Sequence, residues 1–158
     1  MRQPPVEVLI VEDNDADVSL TLAALQDPTI ANEIHTVGDG DQAIAFLKRE
    51  GNYANAPHPD LVLLDLNLPN KNGFQVLAEM KADPRLKTIP VIVFSGSDEE
   101  SDIAQAYDLQ ISAYLVKPTS VDGYFSAIRA VKELWFHMVA HPPKKKRMTG
   151  HLSAKSSA

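Results

Sequence analysis

The seven residues DLVLLDL, positions 60–66, hold an unbroken apolar core rather than an apolar residue at every second place. A strand that alternates can leave one face in water, whereas a continuously apolar strand must be covered on both faces, as in a parallel sheet. The rest of the chain supplies the cover. Apolar runs at VEVLIV (6–11), EIHTV (33–37), IPVIVFS (89–95) and SAYLVK (112–117) alternate with segments of helical spacing. Helices are expected at 15–26, with Val18, Leu22 and Leu25 on one face, and at 41–50, 73–82, 99–109 and 120–139. Asn14 or Asp15 can cap the first, and Gly51 stands just past the second. Strands alternating with helices predict an α/β fold: a five-stranded parallel sheet flanked by five helices, doubly wound through right-handed crossovers. Ligands of such folds bind outside the carboxyl ends of the strands.

Composition narrows the classes further. The 158 residues suit one domain with a real core. No apolar stretch reaches the roughly 18 residues of a membrane span, and the N-terminus has no signal-like run, so a cytoplasmic setting is expected. Without cysteine there are no disulfides and no thiolate metal sites. Residues 144–158 carry five positive charges and no acid, so the net charge of −6 leaves −11 on the remainder. So acidic a body repels nucleic acid and can hold cations. The expected organisation is an extension at 1–5, a domain at 6–141 and a basic disordered tail at 142–158.

Four of the five strands end in a group that can do chemistry: Glu12 and Asp13, Asp65, Ser95, and Lys117 before Pro118. In a parallel sheet all of these lie at one edge. Three carboxylates packed together repel, which raises their pKa values unless a cation joins them. A hard ion such as Mg²⁺ answers that need, and a lysine and a hydroxyl beside it are the groups that grip phosphoryl oxygens. Taken singly, each residue has a bland reading as a cap, a turn or a solvated charge; their joint placement favours phosphoryl chemistry. A calcium loop opening at Asp13 is excluded, because Val18 stands where Gly is needed and Ala24 where Glu is needed. Glu12 and Asp13 are therefore assigned to the site, and Asp15 and Asp17 to the first helical turn, where their charge suits the dipole.

In order and spacing, VEDNDAD, DLNLPNKNG, FSGS and LVKP resemble a response-regulator receiver domain of two-component signalling, over residues 6 to about 139. The resemblance implies a flavodoxin-like, CheY-like (βα)5 fold with strand order 2-1-3-4-5. It implies that Asp65 accepts a phosphoryl group from a histidine kinase and that the domain acts only on its own phosphorylation, not as a turnover enzyme. It further implies Mg²⁺ held by Glu12, Asp13, Asp65 and the backbone carbonyl of Asn67. Lys117 and Ser95 would then bond phosphoryl oxygens, and Tyr114 would act as a switch behind Ser95. Asn67 and Ser97 flank the expected path of attacking water. Lys117-Pro118 is a plausible cis bond. Glu12 and Gly96 depart mildly from the residues usual in the family, Asp and Ala.

The NYANAPHPD insertion, DLNLP and ELWFHMVAHPP resemble the stand-alone receivers paired with bacterial phytochromes, which implies a phytochrome-type kinase partner. A haloacid-dehalogenase-like phosphatase using Asp13, with Asp15, Ser95 and Lys117, is the alternative; it leaves Asp65 unexplained. His137 and His141 stand four apart like a metal pair, but without the Glu of HExxH they read as surface or interface residues. A helix over 120–139 would run about 30 Å, longer than strands of about 17–20 Å need for cover. Its end, with Leu134, Trp135, Phe136 and Met138, is therefore expected to be exposed and to form a two-fold dimer interface. No nucleic-acid or membrane partner is expected.

Overall fold

A computed structural model describes residues 4–143. Five strands and five helices alternate: β1 Val6–Val11, α1 Asp15–Leu25, β2 Asn32–Val37, α2 Gly40–Lys48, β3 Leu61–Leu64, α3 Gly73–Ala82, β4 Val91–Ser95, α4 Glu100–Asp108, β5 Ala113–Val116 and α5 Val121–Lys132. A short 3-10 turn, Gly51–Tyr53, follows α2. The strands form one parallel sheet in the order β2-β1-β3-β4-β5, as expected.

The unbroken run of β3 is used on both sides. Val62 and Leu64 face a cluster built from Ile44 and Phe46 of α2, Leu77 and Met80 of α3 and Ala106 of α4. Leu61 and Leu63 face a second cluster with Leu25 of α1 and Tyr124, Ile128 and Val131 of α5. Successive side chains of a strand point to opposite faces, so one apolar run serves both cores.

The helix ends follow local chemistry. The Asn14 side chain accepts the Asp17 N–H and caps α1, while Asn72 and Gln75 form a reciprocal capping box on α3. α2 closes on Arg49, in the left-handed region at φ 58°, before the expected Gly51 is reached. On α1 the buried face is Thr21, Ala24 and Leu25. Val18 and Leu22 lie at its half-buried margin.

The long last helix is where the structure departs most from expectation. After Lys132 the winding widens into a π-helical segment, Glu133–Met138, closed by Val139 N–H donating to Leu134 O, five residues back, at 2.9 Å. The wider turn lets Trp135 and Phe136 both face inward, where they are buried in the α1/α5-side core. Of the apolar side chains in this segment, only Leu134 and Met138 stay exposed. The end is tied down by Lys132 Nζ to Gln26 O (3.0 Å), His137 Nε2 to Asp27 Oδ2 (2.7 Å) and His141 Nε2 to Trp135 O (2.6 Å). The rings of Trp135 and His141 stack. Trp135 and Phe136 are thus core residues rather than an open dimer interface, because the extra helix length turns back onto its own domain. The two histidines bond to different partners and so tie down this arm at two points. The basic segment 144–158 lies outside the described residues. The described peptide bonds are all trans, Lys117–Pro118 included.

Candidate functional site

The sheet ladder runs one residue past three of the strands and aims their last side chains. Glu12 N–H donates to Val37 O (3.1 Å), Asp65 N–H to Val11 O (3.0 Å) and Lys117 N–H to Ser95 O (2.8 Å). Each residue therefore has a backbone fixed by a neighbouring strand and a side chain that projects at the carboxyl edge of the sheet, where the three meet. Gly73 completes the floor: a Cβ there would meet Asp65 O at 2.6 Å and Leu66 Cα at 2.7 Å, so only glycine lets α3 start so close behind Asp65.

Glu12, Asp13 and Asp65 bring carboxylate oxygens within 4.8 Å of one another. Asp13 is exposed and the other two are buried. An all-oxygen set of this kind fits a small hard divalent cation. Lys117 lies between them, its Nζ donating to Glu12 Oε1 (2.6 Å), Asp17 Oδ2 (2.8 Å) and Asp65 Oδ2 (3.1 Å). Burial pushes the Glu12 carboxyl up to about 7; the Lys117 bond opposes that shift, and the nearby Asp65 charge adds to it. For Lys117 burial works against the charge, but the bonds to Asp17 and Glu12 and the Asp65 carboxylate outweigh it and hold the ammonium above its ordinary range.

The remaining predicted residues gather on the β4–β5 side. Ser95 is fully buried and accepts Ser97 N–H at its Oγ (3.3 Å). Tyr114 OH donates to Ser97 O (2.8 Å), and Ser97 Oγ donates to Asp102 Oδ2 (2.6 Å). The tyrosine is thus linked to the segment just after Ser95, and that segment to α4. Asn67 N–H donates to Asp65 Oδ1 (3.3 Å), which keeps the β3–α3 turn against the acid.

One residue at this edge escaped the sequence reading. Asp17 belongs to the first turn of α1, as expected, yet its carboxylate also reaches Lys117. The signal was present but faint: a carboxylate three residues after the Asn14 cap lies at the helix end that faces the strand edge. Behind it, Thr21 Oγ1 and Tyr124 OH lie 2.9 Å apart and both donate to Asp17 O. Asp13 does not take the part a phosphatase nucleophile would need, since the three ammonium protons of Lys117 go to Glu12, Asp17 and Asp65.

Comparison with known proteins agrees with this geometry. Residues 8–129 match the response regulator receiver domain. The response regulator Rcp1 of Synechocystis is 42% identical over 139 residues, 88% of this chain and 95% of Rcp1. Among solved structures, the phosphorylated cyanobacterial phytochrome response regulator RcpA superposes with a TM-score of 0.86 at 45% identity, covering 89% of this chain and all of that one. The Mn²⁺-bound form of Rcp1 gives 0.85 at 41% identity, covering 88% of this chain and all of that one. With most of its length matched, and with the strand order and acid cluster that the match requires, the chain belongs to the response regulator receiver family.

Proposed function

We propose that Asp65 accepts a phosphoryl group from the phosphohistidine of a sensor histidine kinase, with Mg²⁺ held by Glu12, Asp13, Asp65 and the Asn67 carbonyl. The observation that carries this reading is the ammonium of Lys117, 3.1 Å from Asp65 Oδ2 and beside three convergent carboxylates. An Asp65 oxygen attacks phosphorus, the phosphorus–nitrogen bond breaks, and the imidazole leaves with the electron pair. Bound Mg²⁺ supplies positive charge against the phosphoryl oxygens. Lys117 holds one such oxygen, and Ser95 Oγ, buried at the end of β4, donates to another. Tyr114, tied to the Ser97 carbonyl, moves with the segment that carries Ser95 and acts as the switch. The chain is the phosphoryl acceptor and is consumed in the transfer, so it is not a turnover enzyme.

A phytochrome-class kinase is the partner, a reading supported by the likeness to RcpA. The setting is cytoplasmic, in keeping with the acidic body and with the finding that no described helix is long and apolar enough to cross a membrane. Two copies associate through the arm, using Leu134 and Met138, the large apolar side chains left exposed there. Acetyl phosphate with Mg²⁺ should add one phosphoryl group by intact-mass measurement, and Asp65→Asn should abolish the addition. Equal labelling of that variant would overturn the assignment. Light scattering tests association: Leu134→Ala with Met138→Ala should lower the particle mass, and an unchanged mass would remove the arm from the interface.

A further inference from the structure

An ammonium group has three N–H donors and no acceptor. The three acceptors of Lys117 are Glu12 Oε1, Asp17 Oδ2 and Asp65 Oδ2, so its donors are fully used. A phosphoryl oxygen arriving on Asp65 is a fourth acceptor, and one existing bond must yield to it. Glu12 is poorly placed to yield. It is buried, and its other oxygen is engaged by Asn14 N–H at 3.1 Å. Asp65 loses its carboxylate charge on accepting the group, so its bond to Lys117 passes to the phosphoryl oxygen, and Asp17 is left as the exposed anion that still shares the ammonium with that oxygen.

Asp17 differs from both. It stands on α1, outside the three carboxylates that converge at the strand ends. Its side chain keeps 26% exposure against 6% for Glu12 and 9% for Asp65, so water can take over its solvation when the lysine leaves. Its backbone is held at both sides. Asn14 Oδ1 accepts its N–H at 2.9 Å, and its carbonyl accepts from Thr21 and Tyr124. The carboxylate is thus presented to Lys117 from a fixed turn.

We infer that Asp17 is a positioning residue that competes with the phosphoryl group for the Lys117 ammonium and thereby weakens the site's grip on phosphoryl oxygens. The inference rests on the phosphoacceptor reading of Asp65. Its cost to phosphoryl binding is that of one charge-assisted hydrogen bond, about tenfold in affinity. Removing any acid near an anion site also strengthens anion binding through the general field, so a charge-matched control is needed. Asp15 provides it: it occupies the same helical turn, is exposed and carries the same charge.

The test compares wild type, Asp17→Asn, Asp17→Glu, Asp15→Asn and Asp65→Asn. One readout is binding of beryllofluoride with saturating Mg²⁺, followed by thermal shift. The other is labelling by acetyl phosphate, resolved into half-saturating concentration and maximal rate. Asp17→Asn should bind beryllofluoride about tenfold tighter and lower the half-saturating acetyl phosphate concentration to match. Asp15→Asn should change either by no more than about twofold at physiological salt. Asp17→Glu should restore part of the competition. Weaker binding by Asp17→Asn, or a gain no larger than that of Asp15→Asn, overturns the inference. Labelling of Asp65→Asn at the wild-type rate would overturn the phosphoacceptor reading and this inference together. Normal labelling at Asp65 with no Asp17 effect overturns the inference alone.

Discussion

The two ends of the sheet each gather three side chains that could share a cation, and they do so in different ways. At the carboxyl end stand Glu12, Asp13 and Asp65; at the amino end stand Glu7, Glu33 and His35, also within 4.8 Å of one another. The amino-end groups lie inside strands, Glu7 directly opposite Glu33 in the ladder, so their spacing is set by strand register. They also carry their own partner: His35 Nε2 sits 2.9 Å from Glu7 Oε1, and the imidazole packs on Phe46. The carboxyl-end acids lie past the strands, free to converge, and draw their cation from another strand through Lys117. Proximity of acids is common to both ends. What distinguishes the reactive end is side chains from three different strands meeting where the ladder stops.

Four measurements would break or sharpen that contrast. The largest effect should come from Lys117→Ala, which leaves buried Glu12 and Asp65 without their shared cation and should cost about 3–5 kcal/mol in denaturant unfolding at neutral pH. The corresponding cut at the other end, His35→Ala, breaks a partly exposed pair and should cost about 1 kcal/mol or less. Equal costs would erase the distinction between the ends.

Next, Mg²⁺ at a hundredfold excess over its dissociation constant should stabilise the protein by about 2.7 kcal/mol. Asp13→Asn with Asp65→Asn should remove that gain, and Glu7→Gln with His35→Ala should leave it intact. Loss of the gain in the second pair would move the cation to the wrong end.

A smaller effect concerns pH. With the Glu12 carboxyl pushed up to about 7 by burial, the folded protein binds more protons than the unfolded chain between about 4.5 and 7. Stability in EDTA should therefore fall as pH rises through that window, by about 3 kcal/mol at most, and Glu12→Gln should flatten the slope. A slope unchanged in that variant would assign the protons elsewhere.

The smallest expected effect is that of Asp13→Asn on the metal-free protein. Removing one exposed charge from the cluster should stabilise it by about 0.5 kcal/mol, read as a small rise in melting temperature. A clear fall would mean that Asp13 is not repelled by its neighbours.

The sheet was legible because periodicity is a local signal and β3 needs cover on both faces whatever surrounds it. Glu12, Asp65, Ser95 and Lys117 were legible for a related reason: in a parallel sheet, strand ends meet at one edge, so position along the chain translates into position in space. The arm was not legible. An α-helical stripe places Trp135 with Val131 but sends Phe136 to another face, and only the wider π turn lets both go inward. Asp17 was half legible, since its place in the first turn of α1 was readable and its reach to Lys117 depends on how α1 leans over the sheet. Arg49 shows the same limit: it closes α2 in the left-handed region, held by its N–H to Ala45 O and Phe46 O, although Gly51, left-handed as well at φ 59°, stands two residues on.

The burial of Trp135 has a consequence for observing the protein. It is the chain's only tryptophan, and it lies on the arm, stacked on His141. The same arm carries Phe136, which lines a groove with Pro4, Pro5 and Val6 at the amino end of the sheet. Indole emission is therefore a label-free gauge of arm docking at the end of the molecule opposite Asp65. A red shift would report the arm lifting away, and a change in emission on phosphorylation would be a direct optical record of one end of the sheet responding to the other.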